Sequence, residues 1–344
     1  MDAITLTRQL VDIESITGNE AAVGNYLYGE LCRLGYHTRK VAVEANRFNL
    51  YATAEFGDTS SPAALPRIVF STHMDTVPPF IASSEDARCI YGRGSCDAKG
   101  IIAAQIAAAE RLRQENIYVG LLFVVGEERD SLGAKAANDF AASQPSSPRR
   151  YLINGEPTEN RIALASKGTL RVEVTARGKM AHSAYPELGE SAIDKLLAAL
   201  TRLRTMPLPS DPEIGACTLN IGLIEGGRAP NVIPDYAHAD LSYRLIGPSA
   251  DLRRQILTTA GNQVEVTFPL ELPFMRLRAV EGLPTMIAAY TTDIPFLANW
   301  GEALLVGPGS IHVAHTEGEY IDKRQLAHAI ELYCAIARKL KERG

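Results

Sequence analysis

Three short apolar runs organise the chain: Ile68-Val69-Phe70, the stretch 118–125 (YVGLLFVV), and 151–154. Each has strand length, and none alternates with polar residues. That pattern predicts strands buried on both faces. Each run then breaks into residues with chemical potential: His73 and Asp75, Glu127 and Glu128, and Glu156. Segments of helical period lie between and around them. The spacing predicts helices over 4–13, over 21–34 with Gly35 as the stop, over 101–113 and over 131–141. Residues 39–43 and 48–56 read as a hairpin, and Ser60, Ser61, Pro62 and Pro66 as a surface loop.

The rhythm changes near Lys167. Residues 170–176 alternate as a half-exposed strand does, and 190–204 form an amphipathic helix. Strands follow at 217–223 and 237–245, then a helix at 250–260 and a strand at 264–268. The order β-α-β-β-α-β predicts a separate α+β, ferredoxin-like domain at 167–272. Beyond it the first style returns. Residues 284–298 read as helical in pieces, with Asp293-Ile294-Pro295 at a start or break. A short strand at 303–306, a tight turn at Gly307-Pro308-Gly309 and a terminal helix at 322–343 complete the chain. The expected fold is therefore α/β. A mixed-sheet domain with helices on both faces (1–166 and 273–344) is interrupted by the α+β domain.

Length and composition agree with two globular domains: 344 residues, 46% of them hydrophobic. The formal net charge is −5, and no basic stripe invites nucleic acid. No apolar run is long enough to span a membrane, and the first residues lack the pattern of a signal peptide. The five cysteines form no paired spacing, so a reducing cytoplasm is the expected location.

The polar residues at the strand ends change the picture most. His73, Asp75, Asp97, Glu127, Glu128, Glu156, His312 and His315 all fall at strand ends or in glycine-rich turns. Carboxylates gathered at one sheet edge repel each other unless a cation compensates. Imidazole and carboxylate donors together suit Zn²⁺, and a pair of ions sharing one carboxylate would absorb the charge. Asp97, short and set in the turn GRGSCDAKG, suits such a bridge. Of the adjacent pair Glu127-Glu128, one residue can ligate while the other takes a proton from the attacking water. Asp75, two residues from His73, suits a supporting role behind the imidazole.

HMDTVP, GRGSCDAKG, GEE, GEPT, GKMAHSAYPELGESAI, GGRAPNVIP and AHTEGEYI occur in this order. The set resembles the dinuclear metallopeptidases and deacylases, the family of acetylornithine deacetylase, succinyl-diaminopimelate desuccinylase, aminoacylase and carboxypeptidase G. The resemblance spans about residues 68–320. It implies two zinc ions, with cobalt as a possible substitute, held by His73, Asp97 as the bridge, Glu128, Glu156 and His315. It implies Glu127 as general base, Asp75 as the residue orienting His73, and a cis peptide after Asp97. The inserted domain is implied to be a lid that forms a homodimer. In it His182 would stabilise the oxyanion, and Asn231 and Arg244 would bind a substrate carboxylate. Arg244 suits that task because a guanidinium grips a carboxylate with two parallel hydrogen bonds. Glu156, where other members have Asp, resembles deacylases and carboxypeptidases more than tripeptide aminopeptidases. The expected reaction is hydrolysis of a small N-acylated amino acid. Two alternatives stay open: a di- or aminopeptidase acting on short free peptides, and a catalytically silent binding protein.

Overall fold

The strand Ile68–His73 lies third from one edge of a six-stranded sheet in the computed structural model, which describes residues 2–54, 65–145 and 149–342. The loop read at 60–62, the end of the hairpin strand at 55–56 and residue 343 fall outside the described residues. The strand order is Tyr36–Glu44, Arg47–Ala54, Gly120–Val124, Ile68–His73, Tyr151–Asn154 and Glu302–Leu305. The first two strands form the hairpin, with Asn46 in the left-handed region at φ 63° in its turn. From Gly120–Val124 onward every pairing is parallel. His73 stands opposite Val124, and Ser71 opposite Asn154. In-register parallel strands release their chains at one edge, where the polar residues collect.

Both faces are covered, which explains the unbroken apolar runs. Phe70, Leu121, Phe123 and Ile153 pack with the helices Ala3–Val11, Ala21–Arg33, Lys99–Gln114 and Lys323–Glu342. The alternate residues Val69, Leu122, Val124 and Leu152 pack on the other face against Ala134, Ala137 and Ala141 of the helix Leu132–Ala142, and against Trp300. All six residues of Ile68–His73 are buried. Each large side chain so buried contributes about 1.5–3 kcal/mol relative to exposure.

The chain divides into two compact units. The first is Met1–Leu164, Leu277–Met286 and Thr292–Gly344; the second is Ala165–Arg276 with Ile287–Thr291. The second therefore includes a return segment that a boundary at 272 leaves out. Among the contacts that attach it, Lys167 N–H donates to Ala288 O at 2.9 Å and Ser166 Oγ donates to Tyr290 O at 2.6 Å. The reading of 284–298 as helical pieces is corrected. Thr285–Ala288 is a strand, followed only by the 3₁₀ turns Ile294–Phe296 and Ala298–Trp300. The β-branched residues Thr285, Ile287, Thr291, Thr292 and Ile294 favour extended over helical backbone, and Pro295 stops a helix that would run on.

In the second unit the antiparallel order is Thr218–Gly226, Tyr236–Leu245, Gly168–Arg177 and Val264–Leu272. The helices Ala192–Thr205 and Ala250–Ala260 cover one face. Leu170, Val172, Val174, Ala237, Ala239 and Leu241 meet Leu196, Leu200, Leu203 and Ile256 there. The alternation of the sequence is that one-sided burial. Among the described residues, no helix is long and apolar enough to cross a membrane.

Candidate active site

His73 is the last residue of its strand, so the imidazole stands at the sheet edge. Beside it, Gly126 at φ 81° turns the chain after Gly120–Val124 and sets out Glu127 and Glu128. Glu156 follows Asn154 by two residues and is buried. Asp97 is buried in the turn before the helix Lys99–Gln114. That turn is tight: a Cβ on Gly100 would lie 2.3 Å from the carbonyl oxygen of Ser95. The Asp97–Ala98 peptide is cis.

Four of the expected residues meet directly. His73 Nε2 is 2.9 Å from Asp97 Oδ1. His315 Nε2 is 2.9 Å from Glu128 Oε1 and 3.4 Å from Asp97 Oδ2. Asp97 thus turns one oxygen to each histidine. Ligand atoms of His73, Asp97 and Glu128 all lie within 4.8 Å of one another. His315 is held in the left-handed region at φ 65°, uncommon for a non-glycine residue. Glu156 stands outside this close group, with Asn154 Nδ2 at 3.5 Å from its Oε1. His312 is exposed.

Asp75 meets His73 mainly through its main chain. The close partner of His73 Nδ1 is the main-chain oxygen of Asp75, at 2.9 Å; the carboxylate is 3.6 Å away. The carboxylate instead accepts N–H bonds from Glu127 and Glu128, both at 3.2 Å, and a hydroxyl bond from Thr17 at 2.8 Å. Asp75 therefore fixes the turn of the acid pair as well as the ring. The Nδ1–carbonyl bond leaves Nε2 turned toward Asp97.

The chain's own charges leave this edge strained. Burial, followed by the charge of Glu156, pushes Glu127 well above the ordinary carboxylate range. Burial does the same to Glu156, with Asp97 and Glu128 adding to it, and burial also raises Glu128. Hydrogen bonds from His315 and His73 outweigh burial at Asp97 and hold it down. Hydrogen bonds to Asp97 and Glu128 push His315 up to about 10. Burial would lower His73, but Asp75 and Asp97 raise it well above the usual histidine value. A divalent cation among the same donors would take the place of protons on these raised groups. The donor set of imidazole nitrogens and carboxylate oxygens fits such a metal.

The second unit places its expected residues by itself. His182 is exposed, and Ala181–His182 pairs with Val232–Ile233, so His182 stands opposite Val232, next to Asn231. Ser183 N–H donates to the Asn231 carbonyl at 3.0 Å. Arg244 is half-buried on the open sheet face and donates to Thr169 Oγ1 at 2.7 Å.

Two residues escaped the sequence reading. Asp293 is buried, and burial pushes it up to about 7, with the charge of Asp75 adding to the shift. Its charge also raises Glu127. The break at Asp293-Ile294-Pro295 marked its place without a role. Glu319 is buried beneath the turn of Asp97; it belongs to AHTEGEYI, where only the histidine drew attention.

The family model described as peptidase family M20/M25/M40 matches residues 69–339. A probable carboxypeptidase of Aspergillus fumigatus is 38% identical, aligned over 99% of this chain and 87% of its own. A peptidase M20 domain-containing protein of Schizosaccharomyces pombe is 36% identical, over 96% and 82%. Among solved structures, aminopeptidase PepT from Bacillus cereus shares the fold with a TM-score of 0.78 at 24% identity, covering 98% of each chain. An M20 family metallo-carboxypeptidase from Sulfolobus solfataricus does so with a TM-score of 0.72 at 17%, covering 99% of each. A dinuclear metal-binding M20 peptidase from Bacillus subtilis follows at 0.68 and 16%, covering 97% of this chain and 96% of its own. The fold is the mixed α/β architecture expected from the sequence. The chain is a metal-dependent hydrolase of amide or peptide bonds, and it belongs to peptidase family M20/M25/M40.

Proposed function

We propose that the enzyme cleaves the amide bond between an acyl group and an amino acid whose own carboxylate is free. N-acylated amino acids are the smallest such substrates, and the C-terminal residue of a short blocked peptide presents the same bond. The observation that carries the chemistry is Asp97, with one carboxylate oxygen at each of His73 and His315. The substrate class is supported by relatives named probable carboxypeptidases at 36–38% identity and by Glu156 in place of Asp.

His73, Asp97, Glu128, Glu156 and His315 would hold two zinc ions, or cobalt in their place. Bound there, the metal would polarise the scissile carbonyl and acidify the attacking water. Glu127 takes one proton from that water as oxygen adds to the carbonyl carbon. It returns the proton to the nitrogen as the C–N bond breaks, leaving a free acid and a free amine. Burial and the charge of Glu156 raise the Glu127 carboxyl, which makes it the stronger base. Asp75 keeps Glu127 aimed by binding its N–H. His182 stabilises the oxyanion, and Asn231 and Arg244 bind the substrate carboxylate. The second unit is proposed as a lid and homodimerisation surface.

A zinc- and cobalt-loaded screen tests the reading. It should show hydrolysis of N-acetyl or N-succinyl amino acids and of N-blocked dipeptides, with loss of activity after chelation. Cleavage confined to unblocked di- and tripeptides would overturn the substrate class.

A further inference from the structure

Glu319 lies four residues after His315, with its side chain fully buried. Its Oε1 accepts three main-chain N–H bonds: from Gly94 at 2.9 Å, from Cys96 at 3.1 Å and from Asp97 at 3.1 Å. Its Oε2 accepts from Arg93 Nη1 at 2.6 Å, and Arg93 is buried too. The main-chain oxygen of Glu319 also accepts from Gly92 N–H at 3.0 Å. One residue thus ties down the whole turn from Gly92 to Asp97. Converging N–H groups make an anion-binding concavity, and here the anion is a side chain of the chain itself.

The position of this cradle matters more than its strength. The last N–H it holds is that of Asp97, whose two oxygens face two histidines. The residue doing the holding sits on the loop that carries one of them. Tyr320–Asp322 then pairs with Cys89–Tyr91, closing the same loop from the other end. A buried ion pair made only for stability would not need three bonds to one turn.

We infer that Glu319 is a positioning residue for the metal site: it fixes the main chain of Asp97 relative to His315, and so sets the donor geometry for a divalent cation. The inference rests on the reading of Asp97 and His315 as metal ligands. Arg93 serves Glu319 as a counter-charge and does not touch Asp97.

The test is Co²⁺ titration of the metal-stripped full chain, followed by the visible absorption of the bound ion. Wild type, Glu319→Ala, Glu319→Gln and Arg93→Met are compared, with thermal unfolding alongside. Glu319→Ala should weaken cobalt binding by about 10–100-fold and alter the band shape, as loss of a group supporting a ligand does. Glu319→Gln keeps an acceptor for the N–H groups without the charge and should fall between Ala and wild type. Arg93→Met breaks the same ion pair and should lower the melting temperature, yet bind cobalt within about threefold of wild type, since the N–H cradle is intact. If Glu319→Ala does not fold, Glu319→Gln against Arg93→Met decides, and Gln must bind cobalt the more weakly. Equal affinities across the folded variants, or equal losses in the Glu319 and Arg93 variants, would overturn the inference. A wild-type chain that binds no cobalt would overturn the ligand reading itself, and this inference with it.

Discussion

The six-stranded and the four-stranded sheet hold their candidate functional residues in opposite ways. In the first unit the three central strands are buried on both faces, and His73, Glu128 and Glu156 stand where they end, with Asp97 in the turn before Lys99–Gln114 and His315 on the segment before Tyr320–Asp322. There a side chain works through several others: Asp97 meets two histidines, and Asp75 binds two peptide N–H groups and a hydroxyl. In the second unit one face is open. His182 is exposed, and Arg244 donates to Thr169, its one side-chain hydrogen bond among the described residues. Substitution of an expected metal ligand in the first should therefore disturb metal, fold and rate together. Substitution of His182 or Arg244 in the second should change the rate and leave the fold alone.

The largest expected effect is loss of the bridge. Asp97→Ala or His73→Ala should remove bound metal and lower kcat/KM by roughly a thousandfold or more, the scale of a lost Lewis acid. Metal analysis of the purified variants, with kinetics, measures both. A variant that kept its metal content would break the assignment of these residues.

His182→Ala comes next. A lost oxyanion donor costs about 100–1,000-fold in kcat, and unfolding should be unchanged because the side chain is exposed. A fall in melting temperature as large as that of an Asp97 variant would erase the contrast between the units. Arg244→Met should act on KM. Loss of a charged hydrogen bond worth about 1.5–3 kcal/mol corresponds to roughly a 10–150-fold rise. The same change should matter little for a substrate whose carboxylate is amidated.

The pH dependence of the stripped chain sharpens the comparison further. His73, His315, Glu127, Glu128 and Glu156 are all raised. Raised groups bind more protons folded than unfolded, so the slope of stability against pH is negative. The contribution of His315 is complete below the ordinary histidine value and is lost as pH rises toward about 10. Lys99, which burial pushes down to about 7, gives the opposite slope over the same window, so melting of the chelated chain should fall with rising pH relative to that of its His315→Ala variant, while metal affinity rises, since metal displaces those protons. A stripped chain that gained stability relative to that variant over the same range would contradict this. The smallest effect belongs to a cap in the second unit. Ser191 Oγ accepts from Asp194 N–H at 3.2 Å, so Ser191→Ala should cost about 1 kcal/mol in unfolding experiments without changing hydrolysis.

Much of this was legible before any coordinates. Burial on both faces writes itself as unbroken apolar runs, and burial on one face as alternation, so both sheets were readable. His73 stood at a strand end and Asp97 in a glycine-rich turn, while the choice of Glu128 over Glu127 as ligand came from the resemblance alone. What stayed hidden depends on main-chain atoms and distant contacts. The carbonyl of Asp75 that holds His73 has no side-chain signature. Glu319 reads as one more acid until its partners, more than 220 positions away along the chain, are seen. Residues 287–291 return to the second unit through hydrogen bonds that no local period encodes, and Asp293 acquires its character only from what surrounds it.

The central claim is a division of labour at the sheet edge: Glu128 holds metal, while its neighbour Glu127 moves the proton. Glu127→Ala, measured for both metal content and kcat on an N-acyl amino acid, tests this most directly. The predicted result is the wild-type complement of metal with kcat lower by about 100–10,000-fold. Full metal-dependent hydrolysis, or loss of metal from this variant, would contradict it.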